Sequence, residues 1–268
     1  MNDNLLTSDV NPEARPAATL VLFRASATGP DQLLVVERSA VMAFAGGAMV
    51  FPGGRVDLDD HMIASHPERF IHALDPDGAE AAARVAAIRE TLEESGFAVG
   101  FETRPDADWI ADARGRLANR ELFSAMLGDH RLDLDVLVPF ARWCPKHREA
   151  RVFDTRFYLA KAPDDAGDPI VDATENVQSF WASADDLLTA ADEGKVHVIY
   201  PTWRNLERLA LYPTFDEAAA HALATPVDPI SPDMEDRADG RHLCIPEGLG
   251  YPVTSELLAN AITAFDKR

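Results

Sequence analysis

Apolar and polar positions fall in short blocks along the first part of the chain. Residues 17–24 and 32–37 are apolar, β-branched runs separated by Thr28-Gly29-Pro30-Asp31, which predicts two strands joined by a turn. Gly46-Gly47 leads into a third strand over 48–51, stopped by Pro52-Gly53-Gly54, where glycine lets the backbone approach a neighbour closely. From 57 to 77 the pattern turns polar and irregular, with a short helix between the breaks at Pro67 and Pro76. A helix over 78–95 follows, capped by Asp75 or Asp77 and closed by Gly96. Its alanines at 79, 82, 83, 86 and 87 give slim faces for packing on a sheet. Further helices are expected over 106–118, 121–127, 184–194, 202–211 and 217–224, and strands over 135–141, 151–160 and 177–182. The tail reads as a proline-rich loop, an apolar run at 242–246 and a closing helix near 255–265.

This succession predicts an α/β (α+β) fold, a mixed sheet sandwiched between helices, with a helical C-terminal extension. Three regions are expected: a flexible leader over 1–16, one domain over 17–211, and an extension over 212–268 packed on that domain. The length of 268 residues is enough to bury a substantial core.

Charge narrows the partners. With 45 acidic and 25 basic residues the formal net charge is -20, which argues against nucleic acid held on the surface, since phosphate backbones are gripped by clustered Lys and Arg. Two cysteines, Cys144 and Cys244, are too few for a disulfide framework and lack zinc-site spacing, so reduced thiols and a cytoplasmic location are expected. The first sixteen residues have neither the basic start nor the apolar centre of a signal peptide. No apolar run approaches the roughly 20 residues needed to cross a bilayer, so no membrane partner is expected. The chain closes on Asp266-Lys267-Arg268 rather than on an S-K-L type address.

The candidate chemistry lies behind the glycine loop. In Arg89-Glu90-Thr91-Leu92-Glu93-Glu94-Ser95-Gly96-Phe97, the three glutamates fall within an arc of about 100° on a helix, so their oxygens can converge on the same cations. An E-x-x-E-E group alone is most often a solvated face. Here it stands between Phe51-Pro52-Gly53-Gly54 upstream and Ser95-Gly96-Phe97 downstream, which favours a divalent metal site that meets a phosphate.

These residues resemble the box of the Nudix hydrolases, G-x5-E-x7-R-E-U-x-E-E-x-G-U, with U aliphatic. Gly54 supplies the glycine and Arg89 to Phe97 the second half, with Thr91 and Phe97 at the flanking U positions. Gly54 and Arg89 stand 35 positions apart, against about 14 in the box, so about 21 residues are inserted. The position eight before Arg89 is Ala81; Glu80 is adjacent, but one step along a helix turns a side chain by roughly 100°. A split box is similar to that of peroxisomal coenzyme A diphosphatases and their bacterial relatives. Leu33-Leu34, Arg38-Ser39, Gly47 and Phe51-Pro52-Gly53-Gly54 partly follow their coenzyme A motif, with Val36 near an expected threonine and Ala43 where an arginine would stand. Segments 151–157, Glu175 before Phe180-Trp181, and 201–206 are similar to the same branch, so the resemblance spans about 17–211.

The resemblance implies Mg²⁺ or Mn²⁺ as cofactor, with Glu93 and Glu94 as principal ligands, Glu90 as ligand or base, the Gly53 carbonyl completing the coordination, and Glu175 as an additional carboxylate. Arg89 is expected to organise Glu93 through an i,i+4 pair. Arg38, Arg151 and Arg156 are candidate phosphate clamps, and Gly54, Arg55 and Phe153 complete the substrate-binding set. Trp181 and Trp203 read as core anchors before stacking platforms. The implied reaction is hydrolysis of a nucleoside diphosphate linked to another group, with coenzyme A or acyl-CoA leading and nucleotide sugars or NADH as rivals. A ligand sensor without turnover is the alternative of another class, and a homodimer is left open. The insertion at 57–77 is expected near the substrate entrance, because both its ends tie to site elements.

Overall fold

The structure, a computed structural model, describes residues 14–40, 45–72, 78–145, 152–170 and 176–259. The first strand, β1 (Arg15–Arg24), is the spine of a mixed sheet. Its two ends pair antiparallel with different strands: Phe23–Arg24 with β2 (Gln32–Arg38), and Ala17–Thr19 with β4 (Gly53–Arg55). Along its other edge β6 (Phe153–Lys161) runs parallel for nine registered pairs. Beyond β6 lie β5 (Val138–Trp143) and β9 (Pro229–Ile230); beyond β2 lie β3 (Ala48–Val50) and β8 (His197–Val198), and along the opposite edge of β2 runs β7 (Asn176–Ala182).

Period-2 alternation sends successive β1 side chains to opposite faces. Ala18, Leu20 and Leu22 pack with the alanines of α2 (Gly78–Ser95), together with Leu34 and Trp181. Val21 and Phe23 pack on the other face, against α5 (Ala184–Asp192), α6 (Tyr200–Leu209) and α7 (Phe215–Leu223). The sheet is therefore buried on both faces between helices, as the alternation implies. Around α2 lie α1 (Leu58–Ala64), α3 (Ala107–Ala118) and the short α4 (Ser124–Leu127). Asp106 caps α3 by accepting the Trp109 N–H at 2.8 Å, and Gly96 closes α2 with φ 79°, a conformation that suits glycine.

Several boundaries differ from the expectation. Leu134–Val136 is a 3-10 turn, because the Asp133 carboxylate accepts the Asp135 N–H, and the strand begins only at Val138. The helix expected over 121–127 is confined to its last four residues. The extension carries α7, and also β10 (Asp233–Arg237), β11 (Gly240–Cys244) and β12 (Ser255–Leu257) in a small antiparallel sheet. The first three residues of the closing helix expected near 255–265 form a strand, since Ser255 to Leu257 register against Cys244 to His242; Leu258 and Ala259 are helical, and residues 260–265 lie outside the described residues. Most of the exposed β10 residues are charged, so no apolar alternation marked that strand. No helix among the described residues is long and apolar enough to cross a membrane.

Candidate active site

The site forms where β4 passes between β1 and α2. A Cβ at Gly53 would collide with the Ala18 carbonyl and lie 2.7 Å from Thr19 Cα, while a Cβ at Gly54 would lie 2.5 Å from the Glu90 carboxylate. Both glycines are required by close approach, one to backbone and the other to a site side chain. The Gly53 N–H donates to Glu94 Oε2 at 3.0 Å, so the loop fixes one carboxylate directly.

Glu94 is buried, and burial with the nearby Glu90 charge pushes its carboxyl up to about 8, against the Gly53 N–H and the charge of Arg38, which favour the anion. Burial also raises Glu90, and the adjacent Arg89 guanidinium opposes it. Two carboxylates held this close in a buried site are what a divalent cation would relieve, and their oxygen-only chemistry fits Mg²⁺ or Mn²⁺. Glu93 is half-buried on the same helix. The three glutamates do not all bring an oxygen within 4.8 Å of one another; among the described residues the triplet that does bring its ligand atoms together is His72, Asp133 and Asp135, outside the box. The trio therefore does not converge to that distance, while Glu90 is close enough to Glu94 for its charge to raise the Glu94 carboxyl.

Arg89 anchors that pair differently from the expectation. Its Nε and Nη2 donate to the Asp60 carboxylate at 3.0 and 2.8 Å, its Nη1 to Glu90 Oε1 at 2.7 Å, and its Nη2 also to the Arg55 carbonyl at 3.0 Å. The i,i+4 pair with Glu93 is corrected: the bidentate fork goes to a carboxylate on another helix. Asp60 is fully buried, and its Oδ2 also accepts the Asp57 N–H at 2.8 Å, which caps α1. The insertion thus packs α1 on α2 and delivers a side chain to the site. Asp60 was missed because the box was counted backwards from Arg89 to Ala81; counted forwards, it is the sixth residue after Gly54, where the box has its first glutamate.

Other candidates scatter. Arg38 ends β2 opposite Asn176 of β7 and contributes to the Glu94 environment. Arg55 is exposed near Asp57, at 3.8 Å. Arg156 is placed at Glu80, with Nε to Oε2 at 3.1 Å, where Glu80 also accepts from the Tyr158 hydroxyl at 2.9 Å and from Arg84. Phe153 is half-buried at the start of β6. Trp181 packs in the core against Phe97. Glu175, Arg151, Ala43 and His147 lie outside the described residues.

No family model matches the chain. The crystal structure of a Nudix hydrolase from Alicyclobacillus acidocaldarius does: it is 30% identical, covers 77% of this chain and 96% of its own, and superposes with a TM-score of 0.65. The chain belongs to the Nudix hydrolase family. A curated Caenorhabditis elegans relative carrying a nudix hydrolase name is 24% identical over 212 residues, 75% of this chain and 62% of its own length, so the chain spans just under two thirds of that relative. The segment that resembles the family's box lies on α2, and β4 and α1 pack against that helix.

Proposed function

We propose that this Nudix protein is a Mg²⁺- or Mn²⁺-dependent pyrophosphohydrolase that cleaves the diphosphate of a nucleoside diphosphate derivative, with coenzyme A or an acyl-CoA as leading substrate. One observation carries the reaction class: half-buried Glu90 lies against Gly54 and buried Glu94 against Gly53, one tied to Arg89 and the other to a backbone N–H. Glu90 and Glu94 would hold the cation, with Glu93 joining from the same helix. When bound, the ion supplies charge neutralisation at the diphosphate and makes water more acidic.

The chain's own residues do the rest. The Gly53 N–H holds the Glu94 carboxylate in place through Oε2. Arg89, gripped by Asp60, fixes Glu90 either as a ligand or as the acceptor of the water's proton. Arg38, beside Glu94, would meet a phosphoryl oxygen. The coenzyme A assignment is supported by the Leu33-Leu34, Arg38 and Phe51 to Gly54 pattern, and nucleotide sugars and NADH remain its rivals. Glu175 would add a carboxylate from the segment before β7. A cytoplasmic location belongs to the reading and fits two buried cysteines, Cys144 and Cys244, that are not joined in a disulfide. The reading uses one chain throughout and does not call on a homodimer.

The test is a screen of the purified protein against coenzyme A, nucleotide sugars, NADH and diadenosine compounds with Mg²⁺ and Mn²⁺, reading products by mass spectrometry. Turnover that EDTA and Glu94→Gln abolish is the expected result. Binding without turnover under every metal would favour the sensor.

A further inference from the structure

We propose that Asn176 and Ser179, two side chains of β7, complete with Arg38 a subsite for one phosphoryl group of the substrate. This rests on the diphosphatase reading and names residues that reading did not use.

The register places them. Leu34, Val36 and Arg38 of β2 stand opposite Trp181, Ser179 and Asn176 of β7, with an irregularity between Glu37 and Arg38. Leu34 and Trp181 belong to the core against α2, so alternation turns Val36 and Ser179 toward the same face. It begins apolar and ends polar, and its polar end lies beside Glu94, whose anion Arg38 and Asn176 both favour. There the satisfaction of polar groups breaks down. Arg38 Nε, both polar atoms of the Asn176 carboxamide and Ser179 Oγ are buried with no hydrogen-bond partner among the described residues. Asn176 is only 3% exposed, and although it lies near Glu94 its carboxamide makes no bond of acceptable geometry.

Buried polar groups are almost always paired, so several together on adjacent rows call for a missing partner. All three side chains can offer an N–H or O–H donor, which selects an acceptor. A lone anion would be repelled by Glu90 and Glu94, whereas a phosphoryl group bridged by a cation to those carboxylates would present oxygens to Arg38, Asn176 and Ser179 from the opposite side. A resident water could also fill the gap, but it would tie these side chains to stability and not to phosphate affinity.

The two explanations separate in the full-length protein. Asn176→Ala, Asn176→Asp and Ser179→Ala are compared with wild type by calorimetric titration of ADP, with adenosine as control, in Mg²⁺. KM and kcat for the substrate found in the screen, and metal-free thermal melting, are read alongside. Each alanine change is expected to weaken ADP binding and raise KM about tenfold, the loss of a hydrogen bond to a charged group. Asn176→Asp should lose more, because it turns a carboxylate toward the anion. Melting temperatures should stay level or rise, since the atoms removed have no partner. Unchanged ADP affinity and KM with a lowered melting temperature would overturn the subsite while leaving the hydrolase reading intact. A wild-type protein that neither hydrolyses any diphosphate nor binds ADP would overturn both.

Discussion

Asp60→Ala is the most informative single change. It removes the two bonds at 3.0 and 2.8 Å that hold the Arg89 fork, at a carboxylate with no exposed surface. Hydrogen bonds to charged groups contribute about 1.5–3 kcal/mol each, and breaking a buried ion pair from one side costs about 3–5 kcal/mol. Arg89 keeps Glu90 and the Arg55 carbonyl, which places the loss at the lower end, about 3 kcal/mol. For a chain of this size that is a fall in melting temperature of roughly 6–12 °C. Activity should fall further than stability, because Glu90 would be held by an arginine free to turn, and a misplacement of about 1 Å costs on the order of a hundredfold. Asp60→Glu, which restores the box residue, should keep most activity while losing about 1–3 kcal/mol to overpacking. Scanning fluorimetry and kcat with Mg²⁺ measure the two effects. A variant Asp60→Ala that melts with wild type and turns over at full rate would refute the claim that the insertion organises Arg89.

Three further outcomes follow from the same geometry. Gly54→Ala should displace the flexible Glu90 carboxylate and abolish turnover with a small stability change, whereas Gly53→Ala meets the β1 backbone and should lower the melting temperature; fluorimetry beside activity separates them. Glu94→Gln should abolish turnover and weaken Mn²⁺ binding, yet leave the metal-free protein as stable as wild type or more so, because the amide still accepts from Gly53 without facing Glu90 as a like charge; Mn²⁺ titration and melting in EDTA test this. His221 has its pKa lowered by burial and by Arg208. Since the unfolded imidazole protonates first, its contribution is present above about 6.5 and is lost as pH falls below that value; His221→Gln should flatten this acid slope in urea titrations.

The α2 register and the pair of strands β1 and β2 were legible because each carries a clean period and a strong stop. Gly96 had to end the helix, and the alternation of Leu20, Val21, Leu22 and Phe23 had to serve two buried faces. Non-local pairing was not legible. Nothing in a local pattern joins Asp60 to Arg89 or places Arg156 on Glu80, since those contacts depend on how α1 and β6 meet α2. Charged β10 hid as a strand for a related reason: its pairing with β11 is made by backbone, and its exposed side chains carry no apolar signal. Asn176 had no signal beyond standing next to Glu175; its meaning lies in the register of β2 and β7.

The position of the cut in the box now has a physical reading. In an uninterrupted box the first acidic residue and the arginine lie close in sequence. Here 29 positions separate Asp60 from Arg89, so their meeting is secured by tertiary packing. The chain supplies that packing by putting Asp60 on α1, whose Ile63 and Ala64 join the core against α2. Asp59, the neighbouring residue, ties α1 to α4 through the Ser124 N–H and hydroxyl at 2.9 and 2.6 Å. The acidic pair on α1 therefore divides its work: Asp59 holds the helix in place from outside, and Asp60 uses that placement to hold Arg89 within. The added segment therefore takes part in the site: its helix α1 packs on α2 and carries Asp60 to Arg89, and Phe70, farther along it, joins the same core.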